Sequence, residues 1–178
     1  MYNRYGRYAP YSDPMKAGSR YMNSRRPYMP GLNRPAGNAG PRDYGPEPFA
    51  VNIEEATKQN NAFRRALWTG THLQLTLMSL NPGEDIGLEV HPNLDQFVRI
   101  EEGNGIVRMG NRRDYLDFQR SVSAEYAFII PAGKWHNLVN TGRTPLKLYS
   151  IYAPPQHPAG TVHATKADAA AAERHSGY

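Results

Sequence analysis

The 178-residue chain has no cysteine, no long apolar run and, over most of its length, no net charge. The absence of cysteine excludes disulfides and thiolate metal ligands. The first residues, Met1–Tyr8, lack the apolar segment of a signal peptide, and no run approaches the length of a membrane span. These absences predict a soluble, cytoplasmic protein with no membrane partner.

The net charge is concentrated at the N-terminal end. Residues 1–50 carry eight basic and three acidic residues, whereas residues 51–178 carry 13 of each, so the formal charge of +5 belongs to the first segment. Because the remaining chain has no basic excess, its charge argues against a nucleic-acid-binding domain. A segment charge of +5 is also modest for binding nucleic acid by itself.

The first segment has an unusual composition. Residues 1–50 are poor in aliphatic side chains and contain seven of the twelve tyrosines and eight of the fifteen prolines. Such a segment buries too little apolar surface to offset its chain entropy, so we predict a disordered tail over residues 1–50. Two roles stay open: a solvated tail without a dedicated role, or an adhesive tail that self-associates through tyrosine and arginine contacts.

Beyond residue 50 the sequence is typical of an all-β domain with short peripheral helices. Asn52 with Glu55 predicts a capped helix over Ile53–Gln59, and Thr165 predicts a cap for a helix over Lys166–Glu173. Apolar runs between glycine- and proline-containing turns predict nine strands, near Phe63–Trp68, His72–Leu80, Ile86–His91, Gln96–Glu101, Gly105–Met109, Tyr115–Val122, Tyr126–Ile130, Trp135–Asn140 and Leu146–Tyr152. We therefore divide the chain into a tail (1–50), a β-barrel (51–155) and a C-terminal extension (156–178).

Strand alternation selects polar side chains that can meet inside such a barrel. Glu89 and His91 share one face of their predicted strand, while Gln96 and His136 lie on the inward faces of theirs. Two imidazoles, a carboxylate and an amide oxygen form a mixed nitrogen and oxygen site. Such a site suits a divalent ion such as Mn, Fe, Ni or Zn.

A metal is one of two explanations for these residues. A buried carboxylate such as Glu89 needs a compensating charge, which either a cation or a buried arginine supplies. The alternating positions Gln74 and Thr76 are expected in the pocket wall. His157 and His163 follow the last strand; we expect them at the surface, although their loop could also fold across the barrel mouth.

Two spaced motifs give the predicted barrel a family resemblance. Residues 131–140, PAGKWHNLVN, have the spacing P-x-G-x-x-H-x-x-x-N. Residues 89–103, with Glu89, His91, Gln96 and Gly103, resemble a degraded G-x5-H-x-H-x3-4-E-x6-G, in which Gln96 stands in place of glutamate. Over about residues 60–155 the chain thus resembles single-domain bacterial cupins, commonly labelled mannose-6-phosphate-isomerase-like. The resemblance implies a double-stranded β-helix (a jelly-roll barrel), a divalent metal on Glu89, His91, Gln96 and His136, and frequent homodimers.

Two functions of different classes follow. The first is a metal-binding cupin that acts on, or senses, a small polar metabolite such as a sugar or sugar phosphate; in an enzyme, Glu89 is the candidate catalytic base. The second is a structural or assembly protein, such as a spore-coat component, whose barrel carries a vestigial site. The tyrosine- and arginine-rich tail and the glutamine at position 96 favour the second. The reaction type does not follow from the fold.

Overall fold

The structure is a computed structural model that describes residues 42–176. Two helices and ten strands follow in the order α1 (Ile53–Gln59), β1 (Arg64–Thr69), β2 (Gln74–Leu80), β3 (Glu89–Val90), β4 (Asp95–Glu102), β5 (Asn104–Gly110), β6 (Phe118–Ser123), β7 (Ala127–Ile130), β8 (Trp135–Asn140), β9 (Leu146–Ala153), β10 (Val162–His163) and α2 (Lys166–Ser176). Within the described range, no helix is long and apolar enough to cross a membrane.

The strands form two antiparallel sheets. The larger has the order β10-β1-β2-β9-β4-β7, and the smaller has the order β3-β8-β5-β6. The core lies between their inner faces and includes Met78, Val98, Val107, Leu138 and Leu148. Apolar residues at alternate strand positions therefore hold the sheets together, as the sequence pattern predicts. The predicted all-β barrel with short peripheral helices is confirmed.

Both predicted helices begin at their predicted caps. The Asn52 side chain accepts a hydrogen bond from the Glu55 backbone N–H at 3.2 Å. The Thr165 hydroxyl accepts one from the Asp168 N–H at 3.2 Å, and the Asp168 carboxylate accepts one from the Thr165 N–H at 2.9 Å. This reciprocal pair satisfies two backbone donors at the start of α2.

Four strands (β2, β3, β6 and β7) are shorter than predicted, β3 most of all, and β10 is an additional strand. The expected strand over residues 86–91 is reduced to β3 because Gly87 has a φ of +96°, which takes the chain out of the extended conformation. The expected strand from Tyr115 begins only at Phe118. The C-terminal extension contributes β10, which pairs with Arg64 and Arg65 at the edge of the larger sheet.

The structure describes the predicted tail from residue 42 onward. Residues 1–41 lie outside the described residues, so the disorder predicted for them stays a prediction. Residues 42–50 differ from the expectation, because they are hydrogen bonded to the barrel. The Tyr44 N–H donates to the Leu67 carbonyl at 2.9 Å, and the Trp68 indole N–H donates to the Glu47 carbonyl at 2.8 Å. Specific polar contacts thus hold a segment whose composition alone predicts disorder.

Candidate metal centre

Three of the four predicted site residues meet at one point of the barrel. Glu89 on β3 pairs directly with His136 on β8, which brings their side chains together, and His91 follows β3. The Nε2 atoms of His91 and His136 lie 3.5 and 3.4 Å from Glu89 Oε1. His136 is completely buried, His91 is 7% exposed and Glu89 is 21% exposed. All three ligand atoms lie within 4.8 Å of one another.

The turn between β7 and β8 orients both histidines. Gly133, with a φ of +78°, donates its N–H to the His91 carbonyl at 2.8 Å. The Nδ1 atom of His136 lies 2.9 Å from the Lys134 carbonyl oxygen. Because a carbonyl only accepts, His136 Nδ1 donates to Lys134, and Nε2 is the ring nitrogen that faces the cluster. The spacing of glycine and histidine in the 131–140 motif therefore allows one turn to contact both His91 and His136.

The cluster has the electrostatics of a metal donor set. The contacts of 3.4 and 3.5 Å are long for hydrogen bonds, and neither histidine Nε2 has a hydrogen-bond partner among the described residues. Burial acts to raise the pKa of Glu89, but the contacts with His136 and His91 and the charge of Arg64 outweigh it and hold that pKa well below its usual range. An anionic carboxylate therefore faces two imidazole nitrogens, a combination that fits a divalent ion.

Gln96 lies on the wall beside this cluster. It pairs with Tyr152 across β4 and β9, and the Tyr152 ring contacts the His91 ring at 5.8 Å between centroids. Its amide Nε2 donates to the Ser150 hydroxyl at 2.8 Å, and its Oε1 has no hydrogen-bond partner among the described residues. That geometry fixes the amide with its oxygen free to accept, which is the orientation that a weak oxygen ligand or a water-orienting group requires.

The predicted wall residues Gln74 and Thr76 are both completely buried. The Gln74 side chain clamps the loop after β9: its Oε1 accepts from the His157 backbone N–H at 3.0 Å, and its Nε2 donates to the His157 carbonyl at 2.8 Å. Gln74 thus positions the loop, whereas the Thr76 hydroxyl has no hydrogen-bond partner among the described residues.

The expectation that His157 is a surface residue is wrong. Its ring packs edge-on against Tyr152 at 5.2 Å between centroids, and its Nε2 is buried. Burial, followed by the charge of Arg64, lowers the pKa of His157 to about 3, so the imidazole is neutral at physiological pH. The signals in the sequence were Pro154-Pro155, which ends β9, and the polar Gln74 on an inward face.

Arg64 is a second residue that the sequence did not indicate. It is 1% exposed, and its Nη1 lies 3.4 Å from the Glu173 carboxylate on α2. Among the described ion pairs, Glu89 has partners only in the two histidines. Arg64 therefore acts on the pKa of Glu89 but forms no described ion pair with it. The explanation in which a buried arginine replaces the metal would require such an ion pair.

The comparisons with known proteins identify the family. A family model described as a cupin domain matches residues 76–152. YrkC of Bacillus subtilis (strain 168), an uncharacterized protein, is 70% identical over 132 residues, which cover 74% of this chain and 71% of YrkC. An uncharacterized protein of Acanthamoeba polyphaga mimivirus is 43% identical over 115 residues, which cover 64% of this chain and 70% of that protein.

Two solved structures share the fold of this chain. A crystal structure of a Bacillus halodurans protein shares 69% identity and a TM-score of 0.73, covering 73% of this chain and 98% of that one. A Klebsiella pneumoniae protein with a double-stranded β-helix domain shares 20% identity and a TM-score of 0.51, covering 67% of this chain and 100% of that one, which is a likeness of fold alone. The chain belongs to the cupin family, and its fold is the double-stranded β-helix.

Proposed function

We propose that this protein is a divalent-metal-binding cupin that acts on, or senses, a small polar metabolite. Glu89, His91 and His136 are the proposed ligands, and Gln96 is a weak fourth ligand or a group that orients water. The observation that carries the proposal is the convergence of two unpaired, buried histidine Nε2 atoms on one carboxylate oxygen. Unpaired buried polar atoms are rare in folded proteins, and several at one point indicate that the site takes a polar or charged guest.

The chemistry of these residues limits what an enzyme here would do. A divalent ion in the site would supply Lewis acidity toward a carbonyl or hydroxyl oxygen. His136 would present its Nε2 lone pair in a fixed direction, because Lys134 holds the proton on Nδ1. Glu89, with its lowered pKa, suits the role of an anionic ligand better than that of a base, since a carboxylate of low pKa is a poor proton acceptor.

Metal analysis of the purified full chain tests the proposal. We expect about one divalent ion per chain after purification with supplemented Mn²⁺ or Zn²⁺, loss of the ion in His136→Ala, and weaker binding in Glu89→Gln because the ligand charge disappears. His72→Ala, at an exposed position, is the matched control and should keep the ion. A stoichiometry near zero in the unaltered protein would contradict the proposal.

The alternative is a structural or assembly protein with a vestigial cupin site. The glutamine at position 96 and the composition of residues 1–50 favour it. The same metal analysis separates the two, because a vestigial site would leave His136→Ala and His72→Ala with equal, negligible metal content. Homodimer formation is proposed in either case, and sedimentation equilibrium of the full chain measures it.

A further inference from the structure

Arg64 is buried without adequate compensation for its charge. It is the largest of the fully buried side chains in the described part of the protein, and a guanidinium offers five N–H donors. Its recorded ion pair, with Glu173 at 3.4 Å, is long, and the Glu173 side chain is half exposed. Its Nε has no hydrogen-bond partner among the described residues. A buried charge held so loosely is costly unless another anion approaches it.

Arg64 is a buried residue of β1 and lies beside the part of the chain that carries His157 and His163. β10 pairs Arg64 with His163, which places the loop after β9 beside it. The charge of Arg64, after burial, also acts to lower the pKa of His157 and His163, the two histidines that follow β9. The Tyr152 ring connects this region to the candidate metal ligands, because it contacts the His157 ring at 5.2 Å and the His91 ring at 5.8 Å between centroids.

Further polar atoms near Arg64 have no partner. The Nε2 of His157, the Nδ1 of His163 and the Oγ1 of Thr76 are buried and form no hydrogen bond with the described residues. The Tyr152 hydroxyl lies beside the Ser150 and Thr76 hydroxyls and, as a phenol, can donate a hydrogen bond. The His157 ring rests on Tyr152, so these two potential donors lie side by side. Such a set of unpaired groups is typical of a polar ligand site.

Charge balance specifies the sign of the ligand. A divalent ion in the cluster would carry two positive charges against the single negative charge of Glu89, and Arg64 would add a third positive charge. Even with the half-exposed Glu173 paired to Arg64, the buried pocket would keep a positive excess. Because an uncompensated charge in a barrel interior is unfavourable, an anionic ligand is favoured over a neutral one.

We propose that Arg64, Tyr152 and His157 form a binding site for the carboxylate or phosphate of the small metabolite, next to the Glu89–His91–His136 cluster. This inference rests on the proposed function and narrows its ligand from a polar metabolite to an oxyanion. Arg64 would bind two oxygens of the anion with its planar fork, while the Tyr152 hydroxyl and a neutral His157 N–H would each donate one hydrogen bond. A sugar acid and a sugar phosphate share this chemistry.

Calorimetric titration of the Mn²⁺-loaded full chain tests the proposal with three probes. Gluconate and inorganic phosphate represent the two oxyanions, and glucitol is the polyol that matches gluconate without its carboxylate. We expect at least one oxyanion to bind at least about tenfold more tightly than glucitol, since hydrogen bonds to charged groups are the stronger class. The arm that binds more tightly identifies a carboxylate or a phosphate as the preferred group.

Four variants locate the anion. Arg64→Gln should weaken oxyanion binding at least about tenfold while metal content is retained, and Arg64→Lys should recover part of the affinity. Glu173→Gln should leave binding unchanged or tighter, because it releases the guanidinium. Arg108→Gln removes an exposed arginine of the other sheet and is the control. If Arg64→Gln does not fold, the Arg64→Lys and Glu173→Gln pair still decides the question.

Three results would overturn the proposal. The first is that Arg64→Gln, or Arg64→Lys in its place, binds the oxyanion as the unaltered protein does. The second is that neither oxyanion binds more tightly than about 10 mM. The third is that Glu173→Gln loses affinity as Arg64→Gln does, which would make Arg64 a tether for α2. Metal content is measured separately in every variant. An unaltered protein without metal would contradict the proposed function. The dependence of oxyanion binding on Arg64 would then still be measured in the apo-protein.

Discussion

The Asp43 carboxylate joins three parts of the chain, and its removal should destabilise the domain. Its Oδ1 accepts hydrogen bonds from the N–H groups of Gly45 and Thr69, both at 3.0 Å. Its Oδ2 accepts from the Thr69 hydroxyl at 2.6 Å and from the Gly160 N–H at 2.8 Å. One side chain thus ties the segment before α1 to the end of β1 and to the loop that precedes β10.

The size of the effect follows from these bonds. A hydrogen bond to a charged group contributes about 1.5–3 kcal/mol, but four bonds on one partly exposed carboxylate do not add. We therefore expect Asp43→Ala to lower the free energy of unfolding by about 3 kcal/mol. For a chain of this size, each kcal/mol lowers the melting temperature by about 2–4 °C, so the melting temperature should fall by about 6–12 °C.

The effect should depend on pH in a defined direction. Partial burial acts to raise the pKa of Asp43, but hydrogen bonds from Thr69, Gly160 and Gly45 outweigh it, so the pKa is lower in the folded than in the unfolded chain. The unfolded chain then binds the proton more tightly, and the stabilisation is complete above the unfolded pKa of about 3.9. The stabilisation is lost as the pH falls through the pKa of Asp43 in the folded chain. The difference in melting temperature between the unaltered protein and Asp43→Asn should therefore shrink below about pH 4.

Thermal melts followed by circular dichroism, at pH 7 and across the acid range, measure both effects. The exposed Asp117→Ala is the matched control and should melt close to the unaltered protein. Deletion of residues 1–41 should leave the melting temperature unchanged, whereas deletion of residues 1–50 should lower it because Asp43 is lost. If Asp43→Ala melts with the Asp117→Ala control, the contacts of residues 42–50 do not stabilise the domain.

The remaining predictions concern the pocket and the turn beside it. Gln96→Glu should tighten divalent-metal binding in a metal titration, because it adds a negative ligand; unchanged affinity with a lower apo melting temperature would place Gln96 outside the site. Gln74→Leu removes the acceptor for the His157 N–H, so hydrogen exchange at that amide should accelerate at least about tenfold, and an unchanged rate would mean that Gln74 does not hold the loop. Gly133→Ala meets no atom within 4 Å but forces alanine to a φ of +78°, so denaturant unfolding should show a loss of about 1–2 kcal/mol, and no loss would contradict the strain.

The local signals of the sequence were sufficient for the barrel and for the convergence of Glu89, His91 and His136 in the candidate site. The caps at Asn52 and Thr165 predicted where both helices begin, because capping depends on residues only three positions apart. The 131–140 motif predicted His136, because its turn residues and its histidine act on one another locally. The alternation of Glu89 and His91 then identified a shared face.

The failures involve residues that meet only after long-range folding. His157 enters the pocket because Gln74, 83 positions earlier, binds its backbone, and no local pattern encodes that contact. Arg64 lies on a strand whose burial depends on β10 and α2, both from the C-terminal extension. Composition predicts a tail for the segment at Asp43. Composition describes the average of a segment, and this segment is anchored by the contacts of a single carboxylate.

Anomalous diffraction from crystals of the full chain grown with Mn²⁺ or Zn²⁺ shows whether Glu89, His91 and His136 bind a divalent metal. We predict one strong peak per chain, about 2.0–2.2 Å from a Glu89 oxygen and the Nε2 atoms of His91 and His136. With the metal bound, the Lys134 carbonyl should still accept a hydrogen bond from His136 Nδ1. A cluster without a peak in metal-supplemented crystals, with Glu89 paired to Arg64 instead, would contradict this prediction.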